Sequence, residues 1–226
     1  MFLSWLWFNK REWGSPSWLT YIWGIASTWD SVSLTSLSLE EWDILIVCVS
    51  EANNVAYASI WITSSWYTEI AALDRYDTLS SNLYVWYKVM WSTPDTTAEV
   101  FAENQATSIC YAFRGVDTST PIDVASTTAT ERNNWEPNPP SITPTTAWSV
   151  VIAIGTARTL ESHNTTPLTW YNSLLSITWT IGSFNKWDIC VCYTDRTSGA
   201  EDPPAYSGST KSQSSRCACT IALRPA

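Results

Sequence analysis

The chain is a succession of short apolar runs set in a Ser- and Thr-rich background, and the runs have the length and alternation of β-strands. Residues 44–49, Ile-Leu-Ile-Val-Cys-Val, are apolar on both faces and predict a buried central strand. Residues 83–89 are aromatic and β-branched, with Lys88 closing one face. Residues 108–114 alternate, with Ile109, Tyr111 and Phe113 on one side and Cys110 and Ala112 on the other. Segments 150–154, 189–193 and 217–223 complete the strong set, and 31–39, 67–73, 97–101 and 173–177 are weaker strand candidates. Alternation in 217–223 puts Cys217, Cys219, Ile221 and Leu223 on one face and Ala218, Thr220 and Ala222 on the other. The expected core is therefore Ile44, Ile46, Cys48, Cys110, Val151, Cys217, Cys219, Ile221 and Leu223, held between two sheets. No segment sustains a helical period with caps. The pattern predicts an all-β fold, an antiparallel two-sheet β-sandwich of the jelly-roll or immunoglobulin-like kind.

These strands predict one domain over 19–226, preceded by an N-terminal arm, 1–18. The arm begins on an apolar run, but Lys10 and Arg11 follow that run where a secretion signal carries its basic residues first. The polar stretch 126–146, with Pro137, Pro139, Pro140 and Pro144, reads as a long Pro/Thr-rich loop or an extended crossover between the halves of the sandwich. A domain boundary there is the alternative; against it, neither half has enough strong strands to close both faces of a sandwich. Residues 165–185 are free of charge, yet Pro167, Asn172 and many Ser and Thr argue against membrane insertion. With 12 basic and 21 acidic residues and a net charge of −9, the chain has no Lys/Arg cluster to neutralise phosphates, which argues against nucleic acid as a partner.

Composition changes the picture at one point. The chain has 16 Trp and only 7 Gly in 226 residues, where average usage predicts roughly 16 Gly. The surplus Trp falls where turns need glycine. Trp29-Asp30, Trp42-Asp43 and Trp187-Asp188 each lead into an apolar run, and Trp66 takes the third place of a Ser-Ser-Trp-Tyr-Thr turn. A left-handed residue is nearly free for Gly and costs a bulky side chain about 1–2 kcal/mol. One reading is an alternative genetic code in which UGA specifies glycine and has been rendered as Trp, leaving GGN-encoded Gly14, Gly24 and Gly115 untouched. On that reading Trp29, Trp42 and Trp187 lie exposed at strand entrances. The other reading is a truly Trp-rich protein with rings on a binding surface.

Candidate chemistry is sparse. Cys190 and Cys192, like Cys217 and Cys219, are i, i+2 pairs, so each pair faces one side of its strand. Same-face Cβ atoms along a strand stand roughly 7 Å apart, too far for a disulfide within a pair. Buried thiols filling the core, one cross-strand disulfide, or a four-sulfur metal site if the two strands are neighbours all remain open. The single histidine, His163, has no partnered nucleophile motif, and Asp74 with Asp77 reads as a solvated turn. No phosphate-cradling or nucleophile-elbow motif occurs, so no catalytic, cofactor-binding or metal-binding residue is assigned, no cofactor is expected, and the chain is read as a non-enzyme.

Residues 114–123, Arg-Gly-Val-Asp-Thr-Ser-Thr-Pro-Ile-Asp, resemble the hallmark turn of a β-sandwich domain widespread in phage virion and tail-associated proteins. Three more segments follow in that domain's order: Glu41-Trp42-Asp43 leading into 44–47, the aromatic-Lys strand 85–89 with Trp91-Ser92-Thr93-Pro94, and the closing segment 221–226. The family pattern carries Gly at positions 42, 86 and 91, and also where Trp23, Trp66, Trp148 and Trp187 stand. The resemblance implies a bacteriophage structural protein located in the virion, as a tail, fibre or capsid-decoration component. Its partners are then other virion proteins, with self-association and a host-surface glycan as further candidates. It carries over no catalytic residue. The alternative is a carbohydrate-binding or adhesion module in which genuine Trp rings stack on sugars. Within the hallmark, Arg114, Gly115, Asp117, Pro121 and Asp123 are read as a structural turn. Asp117 closes an Asx turn, Pro121 fixes φ, and Arg114 is expected to pair with Asp117 or Asp123. Ca²⁺ ligation by Asp117 and Asp123 is disfavoured, because the spacing lacks a calcium loop's carboxylate series.

Overall fold

The computed structural model describes residues 19–28, 30–51, 60–75, 80–103, 106–132, 136–159, 168–181, 185–195, 199–206 and 215–226. Thirteen strands are described: β1 (Thr20–Ser27), β2 (Ser31–Ser33), β3 (Ile44–Glu51), β4 (Trp61–Ile62), β5 (Thr68–Arg75), β6 (Ser81–Val89), β7 (Thr97–Phe101), β8 (Ala106–Arg114), β9 (Ile122–Arg132), β10 (Val150–Thr159), β11 (Asn172–Ile181), β12 (Asn185–Asp195) and β13 (Ser215–Leu223). All pairings are antiparallel. Among the described residues, a 3₁₀ turn, Thr35–Leu37, stands inside the segment expected as a strand over 31–39.

Two five-stranded sheets form the sandwich, in the orders β1-β8-β3-β6-β5 and β11-β12-β10-β13-β9. Their inner faces meet through Ile44, Ile46, Cys48, Leu83, Val85, Ile109 and Phe113 from the first sheet and Val150, Ile152, Ile154, Val191, Cys217, Cys219, Ile221 and Leu223 from the second. Each fully buried aliphatic side chain there contributes about 1.5–3 kcal/mol. Tyr111 ties the sheets together, its hydroxyl donating to the Val191 carbonyl at 2.7 Å and accepting from the Leu175 N–H at 3.1 Å.

The outer faces are buried as well, which explains why β3 is apolar on both sides. Leu45, Val47, Val49 and Cys110 pack under the small sheet β2-β7-β4 and the 3₁₀ turn, against Val32, Leu37 and Val100. On the second sheet, Tyr206 covers Ala153 and Cys192, and Ile142 covers Val151 and Ala222. All nine expected core residues are buried. Cys110 and Val151, however, lie in these outer layers and not between the two large sheets, because their strands' outward faces are themselves covered.

Connectivity follows the halves of the chain. The first sheet uses strands from 20–114 and the second uses strands from 122–223, so each half supplies one layer and needs the other to bury it. This differs from the immunoglobulin arrangement, in which the strands of the two sheets interleave along the chain. The step between the two large sheets is the 114–123 segment. It is not 126–146, whose first seven residues belong to β9. The N-terminal arm, Trp29, Asp77, Asn133, Asn134 and His163 lie outside the described residues. No described helix is long and apolar enough to cross a membrane.

Candidate functional site

The hallmark segment is built from the end of β8 outward. Arg114 closes β8, Gly115 turns the chain at φ 81°, and Val116 forms a bridge with Pro225. The tail after β13 runs back along this turn. Asp117 N–H donates to the Arg224 carbonyl (2.8 Å), Arg224 N–H to the Pro121 carbonyl (2.9 Å) and Ala226 N–H to the Gly115 carbonyl (2.9 Å). The C-terminal residues thus clasp the joint between the two sheets.

The ionic partners differ from the expectation. Arg114 reaches neither Asp117 nor Asp123. It forks onto Asp43, with Nε at 2.8 Å from Oδ1 and Nη2 at 2.9 Å from Oδ2, and Nη1 lies 3.2 Å from Glu40. Asp43 is fully buried at the entrance of β3, the neighbour of β8, and also accepts the Glu40 N–H at 2.7 Å. A forked pair satisfies both carboxylate oxygens at once, which a single point charge cannot do. The hydrogen bond to Asp43 raises the Arg114 pKa.

Asp117 closes the Asx turn as expected, accepting the N–H groups of Ser119 (2.9 Å) and Thr120 (3.3 Å) and the Ser119 hydroxyl (2.6 Å). The Ser119 hydroxyl leads the bonds that lower its pKa. Asp123 is the enclosed carboxylate of the corner. It accepts the N–H groups of Thr145 (2.6 Å) and Thr146 (3.1 Å), both their hydroxyls, and Arg224 Nε at 3.1 Å. Burial pushes the Asp123 carboxyl up, but the bonds from Thr146, Thr145 and Arg224 outweigh it and hold the pKa at about 2. Pro121 is buried and stands immediately before β9, off the hydrogen-bonding ladder. Glu40, Thr145, Thr146 and the role of Arg224 carry no signal in local sequence spacing, because the topology alone brings them to this corner.

Next to the clasp lies a groove of about 480 Å³ lined by Glu41, Trp42, Asp43, Arg114, Thr118 and Ala226, among others. A second, of about 660 Å³, is lined by Trp66, Lys88, Trp91 and Asp95, among others. Buried Lys88 pairs with Asp95 at 2.6 Å and lies over the Tyr67 ring. Trp42, Trp66 and Trp91, on the rims of these grooves, are all exposed.

The cysteines form no joint site. β10 separates β12 from β13, and Cys190 and Cys192 face outward while Cys217 and Cys219 face the inner core. All six are free buried thiols. Burial raises the pKa of Cys110, Cys192, Cys217 and Cys219 to about 12, which suits apolar filler better than a nucleophile or ligand. Among the described residues, no group of three or more His, Cys, Asp or Glu is placed to hold a metal ion.

The suspect tryptophans divide. Trp42 is exposed at a strand entrance as expected. Trp187 is not: it lies within β12, is buried, and has Arg158 over its ring at 4.6 Å. Trp86 is likewise buried in β6 beside Tyr84. Compared with known proteins, the chain matches no family model, no curated protein and no solved structure.

Proposed function

We propose that this chain is a non-enzymatic structural protein of a bacteriophage virion, serving in a tail, fibre or capsid surface. The carrying observation is where the hallmark segment's polar groups are spent. Arg114 is bound to Asp43 and Glu40, Asp117 to its own turn, and Asp123 to Thr145, Thr146 and Arg224. The motif that carries the phage resemblance thus works as a joint and a clasp, a role suited to a building block that must hold its shape in an assembly. Partners on this reading are other virion proteins or further copies of the chain. Proteomics of purified particles tests it: the chain is expected at stoichiometric abundance, and its absence from particles would remove the assignment.

The carbohydrate-binding reading is favoured by one observation, the exposed Trp42, Trp66 and Trp91 on the rims of the two grooves. Specific glycan binding by recombinant protein, abolished by Trp66→Ala or Trp91→Ala, would support it over the virion role.

A further inference from the structure

Among the described residues, six non-glycine residues have positive φ, and four of them are tryptophan: Trp42 (72°), Trp66 (69°), Trp148 (66°) and Trp170 (72°). The four share one position in the fold. Each stands two residues before a strand, ahead of β3 at Ile44, β5 at Thr68, β10 at Val150 and β11 at Asn172. All four side chains are exposed, Trp170 at 82 % and Trp66 at 78 %.

Two of these turns are closed by a backbone bond that fixes the residue's role. Asp43 N–H donates to the Glu40 carbonyl at 3.2 Å, and Tyr171 N–H donates to the Leu168 carbonyl at 2.9 Å. Trp42 and Trp170 are therefore at the third place of four-residue turns. A positive φ there marks the type II turn, whose third residue is Gly or, less often, Asn. At Trp42 the geometry is held from outside as well, by Trp42 N–H to the Met90 carbonyl and Met90 N–H to the Asp43 carbonyl. The backbone is dictated by its neighbours, and the side chain is a passenger. A left-handed turn residue is favourably Gly, Asn or Asp, and four separate turns carry the bulky Trp there.

We infer that positions 42, 66, 148 and 170 are glycine in the protein as its own host makes it, their codons being UGA read by a glycine-charged tRNA with the complementary anticodon. The partner this requires is a translation apparatus that inserts glycine at UGA. The surface changes with it: the grooves beside residues 42 and 66 lose an aromatic rim and gain bare turn backbone, which removes two of the three rings that favour sugar stacking. Where the backbone is extended and the ring packed, as at Trp86 and Trp187, no such argument applies.

The test is the coding DNA together with peptide masses of the protein expressed from its own gene in its natural host. UGA at all four codons, with glycine masses in the peptides that cover them, is the expected result. UGG at any of the four, or tryptophan masses at UGA codons, would overturn the inference. Both outcomes are readable whether or not the chain is found in virions.

Discussion

Gly115 and Trp42 line the same groove and both hold a positive φ, 81° and 72°, yet one is the residue such a φ prefers and the other the residue it penalises. The corner around them is otherwise complete. Asp43, immediately after Trp42, is clamped by Arg114, immediately before Gly115, so the two turns are pinned to each other. The difference shows that turn geometry here is set by the hydrogen bonds of the surrounding strands and the Asp43–Arg114 fork. The residue at the left-handed position is accommodated, not decisive. A third case completes the contrast: Trp86 lies in a strand with its ring buried, where the side chain itself is part of the structure.

The largest effect that sharpens this contrast is expected at Trp86. Trp86→Gly removes a buried ring and leaves a cavity, costing about 4 kcal/mol in urea unfolding. Asp43→Ala breaks the clamp between the two turns and strips the Glu40 N–H and the Arg114 fork of their acceptor. The expected loss is about 3 kcal/mol, and Arg114→Ala should cost less because its guanidinium is partly solvated.

Acid reads the second half of the corner. Asp123 has its pKa depressed to about 2, below the unfolded value of about 3.9. Its contribution is therefore fully present above about pH 4 and lost as pH falls toward 2, amounting to about 2 kcal/mol. Asp123→Asn should flatten the stability profile between about pH 4 and 2; an unchanged acid limb would show that the clasp carries no such linkage. Smaller still is Gly115→Ala, expected to cost about 1–2 kcal/mol because it places a Cβ at positive φ.

The sandwich was legible in the sequence because its strands are short, apolar and β-branched, and the inward face of 217–223 could be read from alternation alone. The outer layers were not. Cys110 and Val151 are apolar whichever face they occupy, so only the observed cover over each sheet assigns them. The edge strand β1, with Trp23 at a register shift, breaks the period and was not anticipated. In the corner, the Asx turn of Asp117 was readable because it closes over two residues. The Arg114–Asp43 and Asp123–Arg224 pairs were not, since their partners are 71 and 101 residues apart and meet only through sheet pairing.

The central claim is that the strand-entrance turns are built for glycine, and it is tested most directly by equilibrium unfolding of Trp42→Gly, Trp66→Gly, Trp148→Gly and Trp170→Gly combined in one chain. Relief of about 1–2 kcal/mol at each left-handed site, set against glycine's greater freedom in the unfolded chain, leaves a gain of about 1 kcal/mol per position. The sites are separate turns, so the gains should add, raising the urea midpoint with an unchanged slope. A fourfold variant no more stable than the parent would contradict the account.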